Sequence, residues 1–270
     1  MNIQSDQPIG IFDSGVGGLT VAHAIKQLLP NEDLIYFGDT AHLPYGDKSR
    51  ESIIHYSTEI TKFLLKINCK VILMACNSAS AVAYNELQEQ FGNTTIVINV
   101  IDPVVNYLKN NYSAARVGVI GTKATINSGT YKSRISDICT DIDVVSLATP
   151  LFVPMIEEGF IFDDISNAII RAYLSNEQLN NIDALILGCT HYPIIKNQIS
   201  KFFNFDVEIL DSARIVANEL RKLLEEKQLL NSQPLSKYEF FVSDYTDHFE
   251  KISKMFFEEQ IKMIKSDLWK

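Results

Sequence analysis

Along this chain, short apolar runs alternate with polar turns and with apolar positions spaced as on one face of a helix. Ile9 to Phe12 reads as a first strand, followed by a Gly-rich turn and a helix near Leu19 to Leu29. Leu34 to Phe37 is the next strand, and the loop after it, Gly38 to Asp47, carries the turn chemistry of Pro44-Tyr45-Gly46. Ile53, Ile60, Phe63, Leu64 and Ile67 then recur at helical spacing. Val71 to Met74 is too short for a helix and suits a strand buried on both faces. Further strands are predicted at Ile96 to Val100, Val117 to Ile120, Val144 to Leu147, Ala184 to Leu187, Val207 to Leu210 and Tyr238 to Val242. Helical stretches separate most of them, which predicts a doubly wound α/β architecture with mainly parallel sheets. The segment after about Gln260 suits a terminal helix or a loose tail.

A weak internal duplication divides this pattern. Gly10-Ile11-Phe12-Asp13-Ser14-Gly15 resembles Gly118-Val119-Ile120-Gly121-Thr122, and Lys70 to Asn77 resembles Asp183 to Thr190. Both offsets are on the order of 110 residues, in the same order along the chain. Any two buried strands followed by small residues look somewhat alike, but two ordered pairs favour two pseudo-symmetric lobes facing a cleft. Residues 1–98 plus 208–270 are assigned to the first lobe and 99–207 to the second, with the active site between them.

The 270 residues are enough for such a core, and 46% hydrophobic with 21% charged residues is ordinary for a folded soluble chain. A net charge of −9 argues against a general nucleic-acid binder, whose phosphate contacts need a basic surface. Met1 to Pro8 lacks a basic stretch leading into an apolar run, and no apolar stretch approaches a membrane span. Cysteines at 69, 76, 139 and 189 form no CxxC pair and no dense framework, which suits free thiols in the cytoplasm.

Cys76 and Cys189 each follow a buried strand and precede small polar residues, Asn77-Ser78-Ala79-Ser80 and Thr190-His191-Tyr192-Pro193. Ligands of open α/β sheets bind beyond the carboxyl ends of strands, so both thiols are expected at the lobe mouths. Two thiols on opposite faces of one carbon can invert it: one thiolate removes the α-proton and the other thiol returns a proton. That chemistry needs no cofactor if the carbanion is stabilised electrostatically in a closed site. A single free cysteine is usually a buried small hydrophobe, and Cys69 and Cys139 are read so. A zinc site on Cys189 and His191 lacks a convincing ligand set, so no metal is expected. Gly15-x-Gly17-x-x-Thr20 lacks the third glycine of a dinucleotide turn. Its glycines more plausibly admit a substrate carboxylate close to the backbone.

At this point the chain closely resembles the glutamate racemases of the aspartate/glutamate racemase superfamily. The resemblance rests on Ile11 to Leu19, Gly38 to Gly46, Ala75 to Ser80, Gly121 to Thr125 and Leu187 to Pro193, in that order and spacing. It implies that Cys76 and Cys189 are the acid/base thiols of an isomerase and that Asp13 and His191 assist them. It further implies a carboxylate near the site at Glu157, and substrate contacts from Asp13, Ser14, Tyr45, Gly46, Asn77, Ser78, Thr125, Thr190 and His191, with Thr122 a weaker addition. Ser78 departs from the family's usual Thr, keeping the hydroxyl. His191-Tyr192-Pro193 favours glutamate over aspartate. The resemblance also implies a cytoplasmic homodimer supplying D-glutamate for peptidoglycan, and so for cell-wall biogenesis and cell shape.

Without the resemblance, several residues stay open to plainer readings. Asp13 can cap the following helix, Tyr45-Gly46 can be only a turn, and His191 and Glu157 can be structural. Relatives acting on aspartate or a hydantoin, a single-thiol decarboxylase, a non-catalytic amino-acid binding module and a cysteine hydrolase are the rival functions. Two cysteines in matched contexts argue against the single-thiol enzyme, and a hydrolase would need an oxyanion hole and a covalent intermediate.

Overall fold

The computed structural model describes residues 3–233 and 235–270; Met1 and Asn2, which open the polar N-terminal run, and Pro234 lie outside the described residues. Among the described residues ten strands follow in chain order: β1 (Ile9–Asp13), β2 (Leu34–Gly38), β3 (Val71–Met74), β4 (Ile96–Asn99), β5 (Arg116–Gly121), β6 (Asp143–Ala148), β7 (Ala184–Gly188), β8 (Glu208–Leu210), β9 (Tyr238–Val242) and β10 (Met263–Lys265). They form a six-stranded sheet ordered β10-β9-β2-β1-β3-β4 and a four-stranded sheet ordered β6-β5-β7-β8. Every pairing is parallel. The central strands β1, β2, β3 and β7 are buried at every position, which is why they read as unbroken apolar runs rather than alternating ones.

The suspected duplication is visible in the topology. The run β2-β1-β3-β4 of one sheet and the whole order β6-β5-β7-β8 of the other are the same arrangement, with β1 matched to β5 and β3 to β7. Each sheet therefore reverses its winding beside its first strand, and ligands gather at the carboxyl ends of strands flanking that reversal. Cys76 follows β3 and Cys189 follows β7, so the two thiols occupy equivalent places.

Helices cover both faces. Arg50–Lys66 and Asn77–Phe91 lie on one side of the six-stranded sheet with Phe12, Phe37, Ile72 and Met74. On the other side Leu19–Leu28 packs against Ser212–Glu226 and Asp247–Phe257. One apolar cluster continues from Ile11 and Leu73 of the first sheet to Leu185 and Leu187 of the second, so the two sheets share a core. Each such fully buried side chain stabilises the fold by about 1.5–3 kcal/mol.

Two sequence expectations change here. β8 pairs with β7, so the chain does not return to the first sheet at 208; it does so only at β9. The segment after Gln260 is neither a helix nor a loose tail, because β10 adds to β9 as an edge strand. Three residues leave no room for a periodic signal, which is why the sequence did not reveal it.

Candidate active site

The ends of β1 and β3 in one sheet and of β5 and β7 in the other meet at one small pocket. Its walls include Ser14 and Gly15 after β1, Tyr45 and Gly46 after β2, Cys76 to Ser78 after β3, Thr122 after β5, and Gly188 to His191 at β7. Val153 and Glu157 join them from helix Phe152–Glu157, where a spacing of four puts both on one face. The free space is about 20 Å³, room for about one water. A wider recess of about 280 Å³ adjoins it and shares Pro44, Gly46, Thr122, Val153 and Glu157. The pocket itself is smaller than an amino acid. A larger surface depression of about 1080 Å³ lies between helices Asp164–Leu174 and Lys196–Phe202, away from both thiols.

Cys76 is the N-cap of helix Asn77–Phe91, its sulfur accepting from the Ala79 amide at 3.5 Å. The thiol donates toward the Ser14 hydroxyl at 3.6 Å. Burial and the negative charge of Asp13 push this thiol up to about 12, against the opposing pull of the Ala79 and Ser14 hydrogen bonds. Asp13 itself is fully buried behind the pocket, where Oδ2 accepts from the Gly15 amide at 3.1 Å and Oδ1 from the Thr190 hydroxyl at 3.4 Å. Burial raises its carboxyl above the ordinary range, although His191 and the hydrogen bonds from Gly18, Gly15 and Thr190 pull the other way.

Cys189 has a different setting. A 3₁₀ turn, Tyr192–Ile195, follows it and leads into the helix Lys196–Phe202, and the sulfur lies 3.8 Å from His191 Nδ1. The other ring nitrogen, Nε2, is 2.9 Å from Glu157 Oε1. Burial alone would lower the basicity of His191, but its bonds to Cys189 and Glu157, and their charges, raise it to about 10. These partners favour the imidazolium form of His191 between Glu157 and the Cys189 sulfur.

The remaining expected residues divide into wall and support. Ser14, Tyr45, Gly46, Asn77, Ser78, Thr122 and Thr190 line the pocket. Thr125 stands behind it, its hydroxyl 3.2 Å from Ser78 and 3.1 Å from Thr122. Asn77 accepts from the Tyr131 hydroxyl at 2.7 Å, while its Nδ2 is buried without a partner among the described residues. Such an orphaned donor costs about 1–3 kcal/mol unless a bound acceptor satisfies it. The Tyr45 hydroxyl is turned away, donating to Asp39 at 2.7 Å.

The Gly-rich turn also has a packing role between the two sheets. A Cβ on Gly17 would come within 2.4 Å of the His191 ring and 2.6 Å of the Thr190 hydroxyl. This glycine lets the β1 turn close on the Cys189 turn of the other sheet, while Gly15 of the same turn lines the pocket. Sequence reasoning also passed over Val153, Tyr131 and Asp39. Asp39 lay inside a stretch already singled out and Val153 one helical turn before Glu157, whereas nothing in the local sequence marked Tyr131.

Two parallel α/β sheets that each send one thiol to a shared pocket define a two-lobed enzyme architecture. A model of the Asp/Glu/hydantoin racemase family matches residues 11–220, and the chain belongs to that family. It is 42% identical over 249 residues to the glutamate racemase of Geobacter metallireducens, covering 92% of each chain. The crystal structure of glutamate racemase from Francisella tularensis in complex with D-glutamate superposes with a TM-score of 0.92 at 42% identity, covering 98% of this chain and 99% of that one. Glutamate racemase isoform RacE1 from Bacillus anthracis gives the same TM-score, 0.92, at 34% identity and the same coverage, 98% and 99%.

Proposed function

We propose that this protein is a cofactor-independent glutamate racemase, interconverting L- and D-glutamate with Cys76 and Cys189 as the two acid/base groups. The observation that carries the proposal is the meeting of two topologically equivalent thiols at one small pocket whose walls also carry Ser, Thr and Asn side chains. One sulfur, as thiolate, takes the α-proton. The other, as thiol, gives its proton to the opposite face of the carbanion, and reversal exchanges the roles. Neither step changes oxidation state.

The electrostatics suit a proton moving across the pocket. Burial and Asp13 keep Cys76 protonated, so it is the donor at rest. The imidazolium of His191 stabilises negative charge as it forms at Cys189, and Glu157 holds that imidazolium in place. Substrate carboxylates and ammonium are assigned to Ser14, Tyr45, Gly46, Asn77, Ser78 and Thr190, with Thr122 and Thr125 supporting Ser78. Asn77 Nδ2 supplies a donor ready for a carboxylate oxygen. Asp13 acts from behind on Cys76 and Thr190.

The same proposal extends to the whole molecule. Two lobes, divided near 99 and again between β8 and β9, separate to admit glutamate and close to exclude water. No helix among the described residues is long and apolar enough to cross a membrane, and a cytoplasmic homodimer supplying D-glutamate for peptidoglycan fits the family. Purified protein given L- or D-glutamate without added cofactor should bring optical rotation to zero from either side. Rotation that moves with aspartate instead would reassign the substrate. Binding of glutamate without any change in rotation would make the protein a binding module.

A further inference from the structure

Behind the pocket wall lies a second polar cluster, built around Asp39, that does not touch the thiols. Asp39 is fully buried and does not line the pocket, yet its carboxylate receives four donors. Tyr45 donates to Oδ2 at 2.7 Å, and Ser243 and Trp269 Nε1 donate to Oδ1 at 2.7 and 2.9 Å. His42 Nδ1 lies 3.0 Å from both oxygens. A buried carboxylate needs this complement, since every missing donor leaves charge unsatisfied in a poorly polarisable interior.

The donors come from distant parts of the chain. Tyr45 and His42 belong to the loop after β2, Ser243 follows β9, and Trp269 follows β10. β10 is placed by its pairing with β9 and by the Ser266 amide donating to Val242 O at 2.8 Å. The indole then packs edge-on against His42 at 4.8 Å and Tyr56 at 5.5 Å, while His42 stacks on Tyr56 at 4.0 Å. Asp39 also bonds through its amide to the Asp13 carbonyl at 3.0 Å, tying the cluster to the end of β1.

We propose that Trp269 is a positioning residue for substrate: its indole N–H, acting through Asp39, fixes the Tyr45-Gly46 wall of the glutamate pocket. This rests on the glutamate racemase reading for its substrate, but the coupling between Trp269 and the loop does not. Tyr45 lines the pocket, and its neighbours Pro44 and Gly46 border both the pocket and the outer recess, so the placement of this loop governs binding more than proton transfer. The edge strand β10 thereby has a role in the site, which explains why a three-residue strand ends in such a dense set of contacts.

The test is Trp269→Phe, which keeps an aromatic ring against His42 and Tyr56 and removes only the N–H. KM for both enantiomers should rise about three- to tenfold, with kcat changed less than about twofold. Tyr45→Phe should give the same pattern, and the double variant should be no worse than Tyr45→Phe alone, because both act through one carboxylate. Amide hydrogen exchange, which needs no turnover, should quicken in residues 38–48 of Trp269→Phe and stay unchanged in helix Arg50–Lys66. Faster exchange in 38–48 in a protein that leaves glutamate unturned would retain the coupling and sink only the substrate reading. Unchanged KM with unchanged exchange in 38–48, even with a lowered Tm, would make Trp269 a mere anchor of its own segment and overturn the proposal.

Discussion

The two thiols sit at equivalent places in two similarly wound sheets, yet their surroundings are opposite in charge. Cys76 caps a fifteen-residue helix beside a buried carboxylate, Asp13. Cys189 caps no helix; a short 3₁₀ turn follows it, and the His191 ring lies beside it, backed by Glu157. Helix dipole and hydroxyl serve one sulfur, and an ion pair serves the other. A pseudo-symmetric fold has placed two like atoms symmetrically and then differentiated them with neighbours. The lesson is that topology positions the two sulfurs, while the local sequence after each strand decides what charge stands beside each.

The comparison breaks most completely if either sulfur is removed. Cys76→Ala and Cys189→Ala should each lower racemisation by about 10²–10⁴-fold, measured by optical rotation, with folding checked by circular dichroism. Loss in one variant alone would mean that a single thiol carries the reaction.

Removing the helpers sharpens the comparison. The enantiomers have equal free energy, so kcat/KM must fall equally in both directions for any variant. Asymmetry has to be sought in the primary deuterium isotope effect. His191→Asn should cost about 10–100-fold in kcat/KM and enlarge the isotope effect only for the enantiomer whose proton faces Cys189. Glu157→Gln should be milder. It removes one of the partners that raise His191 to about 10, so the alkaline limb of kcat should move to lower pH.

Smaller effects are expected at the wall and beneath it. Ser78→Ala loses contacts of 2.8 Å to Thr122 and 3.2 Å to Thr125 and should raise KM about threefold, whereas Ser78→Thr should change it less than about twofold. Asp13→Asn should raise Tm at neutral pH. The folded carboxyl is raised above its ordinary 3.8, so its charged form is disfavoured by folding. The stability of the protonated form is complete below 3.8 and is lost as pH rises through the folded value. The advantage of Asn should therefore grow with pH and vanish in acid, at about 2–4 °C for each kcal/mol.

Much of this architecture was legible because buried parallel strands write themselves as apolar runs. Val71 to Met74 and Ala184 to Leu187 were placed within a residue for that reason, and the polar residues after them located both cysteines. The duplicated order of strands was hinted by the repeated strand-to-turn stretches. What escaped was set by tertiary contact. β10 exists because β9 offers an edge, Gly17 is needed because His191 approaches from the other sheet, and Asp39 gathers donors up to 230 residues away. Thr125 and Asp13 were found in sequence, but only the packing shows that they stand behind the wall rather than on it.

The central claim is that two different groups handle the proton, one on each face. Its most direct test is racemisation of each enantiomer in deuterium oxide, stopped early, with the deuterium content of substrate and product measured separately by mass spectrometry. Two bases predict deuterium at the α-carbon of the product from the first turnovers, while recovered substrate keeps its protium, in both directions. Product that retains the substrate's own proton, or deuterium entering both pools alike, would contradict the account.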